Sequence, residues 1–231
     1  MGAACGPDIV NDGVVLHLDA ASRKSYPGSG TAWNDLSGNG NNSTLTGSPT
    51  YSSNRLGSFT FNGTSHYASF FAPNLTTTAT IEMWCSVTGT PSQAMYMGFN
   101  LYDVYFYSPW GVGFNTGNAD LYGITPAMVT ALGLSDNWRH YVFEMRSDVS
   151  YTNNKIYVNG ALQPLVQQGG TELSSARNFN SGNGRIGYWA YSGGGSYYMP
   201  MNLGLFKIYN RALTQAEVTQ NFNATRGRFG I

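Results

Sequence analysis

The sequence predicts an all-β fold, a two-sheet antiparallel sandwich of jelly-roll type with one or two short helices. In many short segments, apolar residues recur at every second position, which is the period of a strand with one buried face. Turn-forming residues separate these segments, and the 231 residues include 29 glycines. Strand and helix patterns do not alternate regularly along the sequence, so nothing in it indicates a parallel sheet. A closed barrel is the alternative architecture.

Residues 81–87 show the strand pattern most clearly. The odd-numbered positions are apolar and share one face, whereas Glu82 lies on the other face. The same alternation predicts core faces in four further segments: Phe59/Phe61, Met95/Met97/Phe99/Leu101, Tyr141/Phe143/Met145 and Ile156/Val158. Between short apolar stretches, Asn159-Gly160 is the dipeptide that most readily forms a type I′ turn, so a hairpin is expected there.

Two helices are predicted from their first residues. Thr214 and Glu217 have the spacing of a capping box, which predicts a helix from about residue 215 to 222. Thr125 followed by Pro126 has the order of an N-cap and first helical residue, and predicts a second short helix.

Composition excludes several classes of protein. The chain has 12 basic and 12 acidic residues and no basic run, which argues against nucleic-acid binding. Its apolar runs are far shorter than the ~20 residues that span a bilayer, and the N-terminus lacks the features of a signal peptide. The positions of Cys5 and Cys85 favour two reduced thiols, and a single disulfide between them is the alternative.

Five segments resemble the laminin G-like branch of the concanavalin A-like lectin/glucanase superfamily. They are residues 59–67 (Phe-Thr-Phe-Asn-Gly-Thr-Ser-His-Tyr), 81–84 (Ile-Glu-Met-Trp), 138–142, 155–160 and 202–218. The resemblance covers most of the chain, from about Gly13 to Phe229, and implies a jelly-roll sandwich. Fold alone does not settle function.

A narrower resemblance concerns residues 9–21, 25–42 and 221–230. These are similar to stand-alone laminin G-like virion proteins of tailed phages, notably marine and cyanobacterial ones. The resemblance implies a non-catalytic capsid decoration or tail component, assembled in the host cytoplasm and located in the virion. Its partners would be major capsid or tail subunits, or further copies of the chain. The expected organisation is an attachment segment at residues 1–12, a domain at 13–224 and a tail at 225–231.

Catalytic signatures are absent from the sequence. Glucanases of this superfamily carry Glu-x-Asp-x-x-Glu on one strand, whereas Glu82 stands alone and is interpreted as a structural residue on an outward strand face. His17, His66 and His140 lie outside any nucleophile motif. The chain is therefore expected not to be an enzyme, and glycoside hydrolysis is only a remote alternative.

One loop partly imitates a calcium site. Asp35 and Asn39, with Ser37 and Asn41, place oxygen-bearing side chains at every second position, but Thr46 stands where a bidentate Glu is expected. Asp35 and Asn39 are therefore candidate calcium ligands. The alternative is an Asx-type turn whose side chains satisfy its own backbone.

Binding functions remain open. The segment 96–110 is rich in aromatic residues, and Tyr102, Tyr105 and Trp110 are candidate glycan contacts, with further aromatic residues at 188–191 and 197–198. In a virion protein such residues would instead contact neighbouring subunits. Apolar residues near the two ends are candidates for an attachment interface: Ile9, Val10, Phe229 and Ile231. A carbohydrate-binding or host-receptor-binding module is thus the alternative to a virion component.

Overall fold

The computed structural model describes residues 8–73, 75–99, 102–115, 121–147, 150–170, 179, 183–190 and 196–231. Its strands, in chain order, are β1 (Val14–Asp19), β2 (Ala32–Trp33), β3 (Ser43–Thr46), β4 (Thr50–Ser52), β5 (Ser58–Asn62), β6 (Tyr67–Phe71), β7 (Thr78–Val87), β8 (Ala94–Phe99), β9 (Asp103–Tyr107), β10 (Gly111–Asn115), β11 (Leu121–Ile124), β12 (Trp138–Arg146), β13 (Lys155–Val158), β14 (Ala161–Leu162), β15 (Val166–Gly169), β16 (Asn183–Ile186), β17 (Tyr188–Ala190), β18 (Ser196–Tyr198) and β19 (Pro200–Tyr209). The α-helices are α1 (Pro126–Ala131) and α2 (Gln215–Phe229), and short 3₁₀ turns occur at Asn54–Leu56 and Tyr151–Asn153.

The strands form two antiparallel sheets, which confirms the predicted sandwich. The first sheet has the order β14-β13-β12-β7-β19-β5-β4, with β1 also paired to β19. The second sheet has the order β15-β11-β10-β9-β8-β16-β6-β3-β2. Strands β17 and β18 pair with each other as a separate hairpin.

The inner faces of the two sheets form the main core. As predicted, alternate residues of β7, β12 and β5 enter it, together with Trp33 and Phe70. The predicted turn between β13 and β14 is also confirmed, because Asn159 and Gly160 have φ values of 49° and 80°. Strand β8 departs from simple alternation. A register shift between Met95 and Met97 turns Met95 to the outer face, so the prediction that Met95 shares the core face was wrong. Leu101 lies outside the described residues.

Helix α2 covers the outer face of the first sheet. Its predicted capping box is present: the Glu217 backbone amide donates to Thr214 Oγ1, and the Thr214 amide donates to the Glu217 carboxylate. The helix runs seven residues beyond the predicted end at residue 222, to Phe229. The Phe229 ring stacks on Trp84 of β7 with ring centroids 4.4 Å apart. Both faces of the central strands are therefore buried.

The β17–β18 hairpin covers part of the outer face of the second sheet. Trp189 and Tyr197 pack on Met95, Tyr105 and Leu121 there. At Gly98 a Cβ would lie 2.5 Å from Cδ1 of the Trp189 ring, so glycine is needed for the hairpin to approach this closely. The hairpin seals a part of the sheet that would otherwise meet water.

Asp103 of β9 is buried on this same face. It is 1% exposed, and Oδ1 has no hydrogen-bond partner among the described residues. Burial raises the pKa of Asp103 well above its usual 3.8, and a hydrogen bond with Asn115 opposes the rise. The folded protein therefore holds this proton more tightly than the unfolded chain does, and Asp103 makes stability fall as the pH rises above about 3.8.

We expect Asp103→Asn to raise the free energy of unfolding at pH 7 by at least about 1 kcal/mol, because the amide does not ionise. At pH 3.5 the two proteins should be nearly equal. Urea titrations at both pH values check this. A variant less stable than wild type at pH 7 would mean that the ionised carboxylate is stabilised in the fold.

Candidate functional site

A cleft of about 340 Å³ opens at one end of the sandwich. Three segments build it: the β9–β10 turn at residues 107–111, helix α1 with the loop that follows it, and Thr90 in the β7–β8 connection. Buried apolar side chains form its floor, namely Phe106, Val129 and Leu134. Its volume lies at the lower end of the range for small-ligand sites.

Hydrogen bonds hold the cleft walls in place. As predicted, Thr125 caps helix α1, since its side chain accepts from the Met128 amide. The Ser108 amide donates to the Pro91 carbonyl at 3.2 Å and joins the β9–β10 turn to the β7–β8 connection. Oγ1 of Thr90 lies 3.2 Å from Oγ of Ser135, which joins that connection to the loop after α1. The cleft therefore exists before any ligand binds.

The cleft is lined by hydroxyl-bearing residues and lies next to the turn that carries Trp110. Five of its lining residues carry a hydroxyl group, which can donate and accept hydrogen bonds: Thr90, Tyr107, Ser108, Thr130 and Ser135. Trp110 lies between the lining residues Pro109 and Gly111 and is 37% exposed. Of the three candidate glycan contacts, Trp110 is thus the one whose ring meets solvent.

The other two candidate glycan contacts are buried. Tyr102 and Tyr105 are both 0% exposed. Tyr102 stacks on Phe179 in the core, and Tyr105 lies under the β17–β18 hairpin. The prediction that they contact a glycan was wrong, because the aromatic density of this segment serves both faces of the second sheet.

A second group of aromatic side chains lies on the outer face of the second sheet. We call it the tyrosine–arginine surface, and it consists of Tyr67, Ser69, Phe71, Arg185, Tyr188 and Tyr198. The prediction of functional residues had not included Tyr67, Phe71 or Arg185. The alternation in β6 could have found two of them, since Tyr67, Ser69 and Phe71 share the face opposite buried Ala68 and Phe70. Pairing between β6 and β16 adds Arg185, and only the structure shows it.

Glu82 lies in a sealed polar network between the first sheet and helix α2. Its Oε1 lies 3.1 Å from His140 Nε2 and 3.5 Å from Lys207 Nζ, and Oε2 accepts from Tyr209 and Asn221 at 2.8 Å. Glu82, His140 and Lys207 are 0% exposed. Burial by itself would raise the pKa of Glu82, but Lys207, His140 and Tyr209 together lower it to about 2. Glu82 is therefore an ionised structural residue out of reach of a substrate.

The Asp35 loop has the geometry of the Asx-type alternative. Oδ1 of Asp35 accepts from the amides of His17 and Ser37, and Oδ2 accepts from the Ser37 hydroxyl and the Asn41 amide. Asn39 donates its side-chain amide to Val14 O at 3.1 Å. Because both Asp35 oxygens already serve the loop, these residues do not fit a calcium ion. Among the described residues, His, Cys, Asp and Glu side chains form no group of three or more that could hold a metal.

The apolar residues near the two ends differ in exposure. Val10 is 8% exposed, and its amide donates to Asn221 Oδ1 at 2.7 Å. Phe229 is 1% exposed, Ile9 is half-buried and Ile231 is 41% exposed. The predicted interface role of Val10 and Phe229 was wrong, since both belong to the folded domain. The predicted tail boundary at 225 lies inside helix α2.

Cys85 is a buried free thiol, and Cys5 lies outside the described residues. In the part of the chain that the structure describes, no helix is long and apolar enough to cross a membrane.

Solved structures with this fold include binding domains of botulinum neurotoxins. The serotype C1 binding domain has a TM-score of 0.65 and 12% identity, with 93% of this chain and 52% of that chain covered. The binding domain of neurotoxin DC in complex with SialylT has a TM-score of 0.64 and 12% identity, with coverage of 94% and 52%. The same domain in complex with rat synaptotagmin II has a TM-score of 0.63 and 12% identity, with coverage of 94% and 52%. The chain thus spans about half the length of these domains.

No curated protein matches the chain by sequence. A laminin G family model, described as the concanavalin A-like lectin/glucanases superfamily, matches residues 62–219, which is more than half of the chain. Together with the two antiparallel sheets, this match shows that the chain belongs to the concanavalin A-like lectin/glucanases superfamily.

Proposed function

We propose that this protein is a carbohydrate-binding module that recognises a glycan in the cleft beside Trp110. The observation that carries the proposal is a preformed cleft that is lined by hydroxyl-bearing residues and bordered by the turn that carries the exposed Trp110. A sugar ring has an apolar C–H face and a rim of hydroxyls, so an aromatic ring and convergent hydrogen-bonding groups match both of its parts.

The comparisons support a binding role over a catalytic one. One neurotoxin domain of this fold is described in complex with SialylT, and another neurotoxin depends on two ganglioside molecules for cell entry. Because this chain spans only half of those domains, the proposal rests on its own cleft.

Replacing Trp110 with alanine should weaken glycan binding roughly tenfold, the loss expected when a tryptophan anchor worth over 1 kcal/mol is removed. A glycan array probed with wild-type protein identifies a ligand, and calorimetric titration of that ligand measures both proteins. Leu162→Ala is the matched control, because Leu162 is 51% exposed on β14 of the other sheet. Equal affinities of wild type and Trp110→Ala, or no wild-type binding on the array, would contradict the proposal.

A role as a phage virion component, located in the virion, remains a prediction from sequence resemblance. Four apolar residues near the ends favour this role, because a domain without a partner would expose them: Ile9, Val10, Phe229 and Ile231. Of the four, only Ile231 is exposed, and Ile9 is half-buried. The structure therefore offers less support for attachment through the ends than the sequence did.

A further inference from the structure

The outer face of the second sheet carries an exposed row of side chains remote from the cleft lining. Strands β3, β6 and β16 lie side by side, with Thr44 opposite Ser69 and Ser69 opposite Arg185. Thr44 and Arg185 are exposed, and Ser69 is half-buried. Cross-strand neighbours of this kind lie close enough for one ligand to contact all of them.

Aromatic rings flank this row along the strand direction and form the two ends of the surface. At one end Tyr188 stacks on Tyr198 with centroids 4.3 Å apart, and Tyr67 lies 4.9 Å from Tyr188. At the other end the Phe71 side chain is 45% exposed, so its ring is open to a ligand. Tyr67 and Phe71 are four residue steps apart on the strand, a distance of about 13 Å. That distance suits an extended chain of a few sugar rings.

Arg185 supplies a positive charge between the two aromatic ends. Its guanidinium carbon lies 5.3 Å from the centroid of the Tyr188 ring, a cation–π contact that holds the side chain against the surface. In the ion pairs of the described residues the cations are His140, Lys155, Lys207, Arg211 and Arg228, and Arg185 takes part in none of them. The planar guanidinium is thus oriented by the ring and available to an anion, and its fork geometry matches a carboxylate.

We propose that the tyrosine–arginine surface binds an acidic oligosaccharide, with a sugar carboxylate on Arg185 and sugar rings against the tyrosines and Phe71. Charge complementarity selects an anionic ligand, and the mixture of aromatic rings with the hydroxyls of Thr44 and Ser69 matches a saccharide. This site is separate from the cleft, so it stands or falls independently of the function proposed for Trp110.

The test compares trigalacturonic acid with its methyl ester, which has the same skeleton without the charges. Calorimetric titration of the whole chain should show the acid binding about tenfold more tightly than the ester, and more weakly as NaCl is added. Arg185→Gln should reduce the affinity for the acid to that of the ester. Phe71→Ala should weaken the binding of both compounds.

Arg226→Gln is the matched control. Arg226 is also an exposed arginine over an aromatic ring, 5.7 Å from the centroid of Phe222, but it lies on helix α2 against the opposite sheet. This variant should bind the acid as wild type does. Each of three results would overturn the proposal. The first is equal affinity for the acid and the ester, and the second is no binding of the acid. The third is an unchanged affinity for the acid in an Arg185→Gln variant that melts at the same temperature as wild type.

Discussion

Replacing Glu82 with glutamine should lower the free energy of unfolding at pH 7 by about 3–5 kcal/mol. The change keeps the shape of the side chain but leaves Lys207 as a fully buried cation without its anionic partner. Removing one member of a buried ion pair costs this much because the remaining charge stays desolvated. Urea denaturation followed by tryptophan fluorescence measures the loss.

The effect of Glu82 should depend on pH. Its pKa of about 2 lies below the ordinary value of 4.5, so ionised Glu82 stabilises the fold fully above about pH 4.5. This contribution is lost as the pH falls from 4.5 towards 2. The difference in stability between wild type and Glu82→Gln should therefore shrink over that range, whereas a purely steric effect would not change with pH.

Glu144→Gln is the control for Glu82→Gln. Glu144 is itself 2% exposed and pairs with Lys155 at 3.1 Å, but the Lys155 side chain is 45% exposed and returns to water when its partner is lost. The cost should stay within about 1 kcal/mol. A second variant, Glu82→Gln with Lys207→Met, should recover part of the loss because no unpaired charge remains. Equal losses in Glu82→Gln and Glu144→Gln would show that the buried network carries no special energy.

The sequence predicted what depends on local pattern. Alternation identified the core faces of β7, β12 and β5, and residue type identified the caps at Thr125 and Thr214. Each of these signals depends on residues a few positions apart along the chain, so a single sequence contains it in full.

The sequence could not predict what covers the outer faces of the sheets. Alternation shows which residues share a face but not whether a helix or hairpin later covers it. Glu82 was therefore expected on an outward face, and Tyr105 was expected to meet a ligand. Helix α2 buries the first and the β17–β18 hairpin buries the second. Both contacts join segments far apart in the chain.

Beside the candidate cleft, Trp110 could be found because a tryptophan in a turn is visible in the sequence. The hydroxyl groups that line the cleft come from three separate segments, and no spacing along the chain indicates that they meet. The tyrosine–arginine surface likewise depends on the register between β6 and β16. Strand order and register are properties of the whole fold, which local pattern does not fix.

Replacing Phe229 with alanine should lower the free energy of unfolding by about 3–5 kcal/mol, although the residue stands third from the C-terminus. Its ring lies between Trp84 and Trp138, with centroid distances of 4.4 and 4.8 Å, and closes the contact of helix α2 with the first sheet. A Cβ at Gly204 would lie 2.8 Å from this ring, so the sheet is shaped to receive it. Gly227 lowers the helical propensity of residues 223–229, and the packing of Phe229 stabilises this last part of the helix. Ile231→Ala is the control, since Ile231 is 41% exposed and its loss should change stability by less than about 0.5 kcal/mol. Urea denaturation distinguishes the two variants. Similar small losses of stability in both variants would contradict this expectation and support the free tail that the sequence predicts from residue 225 onward.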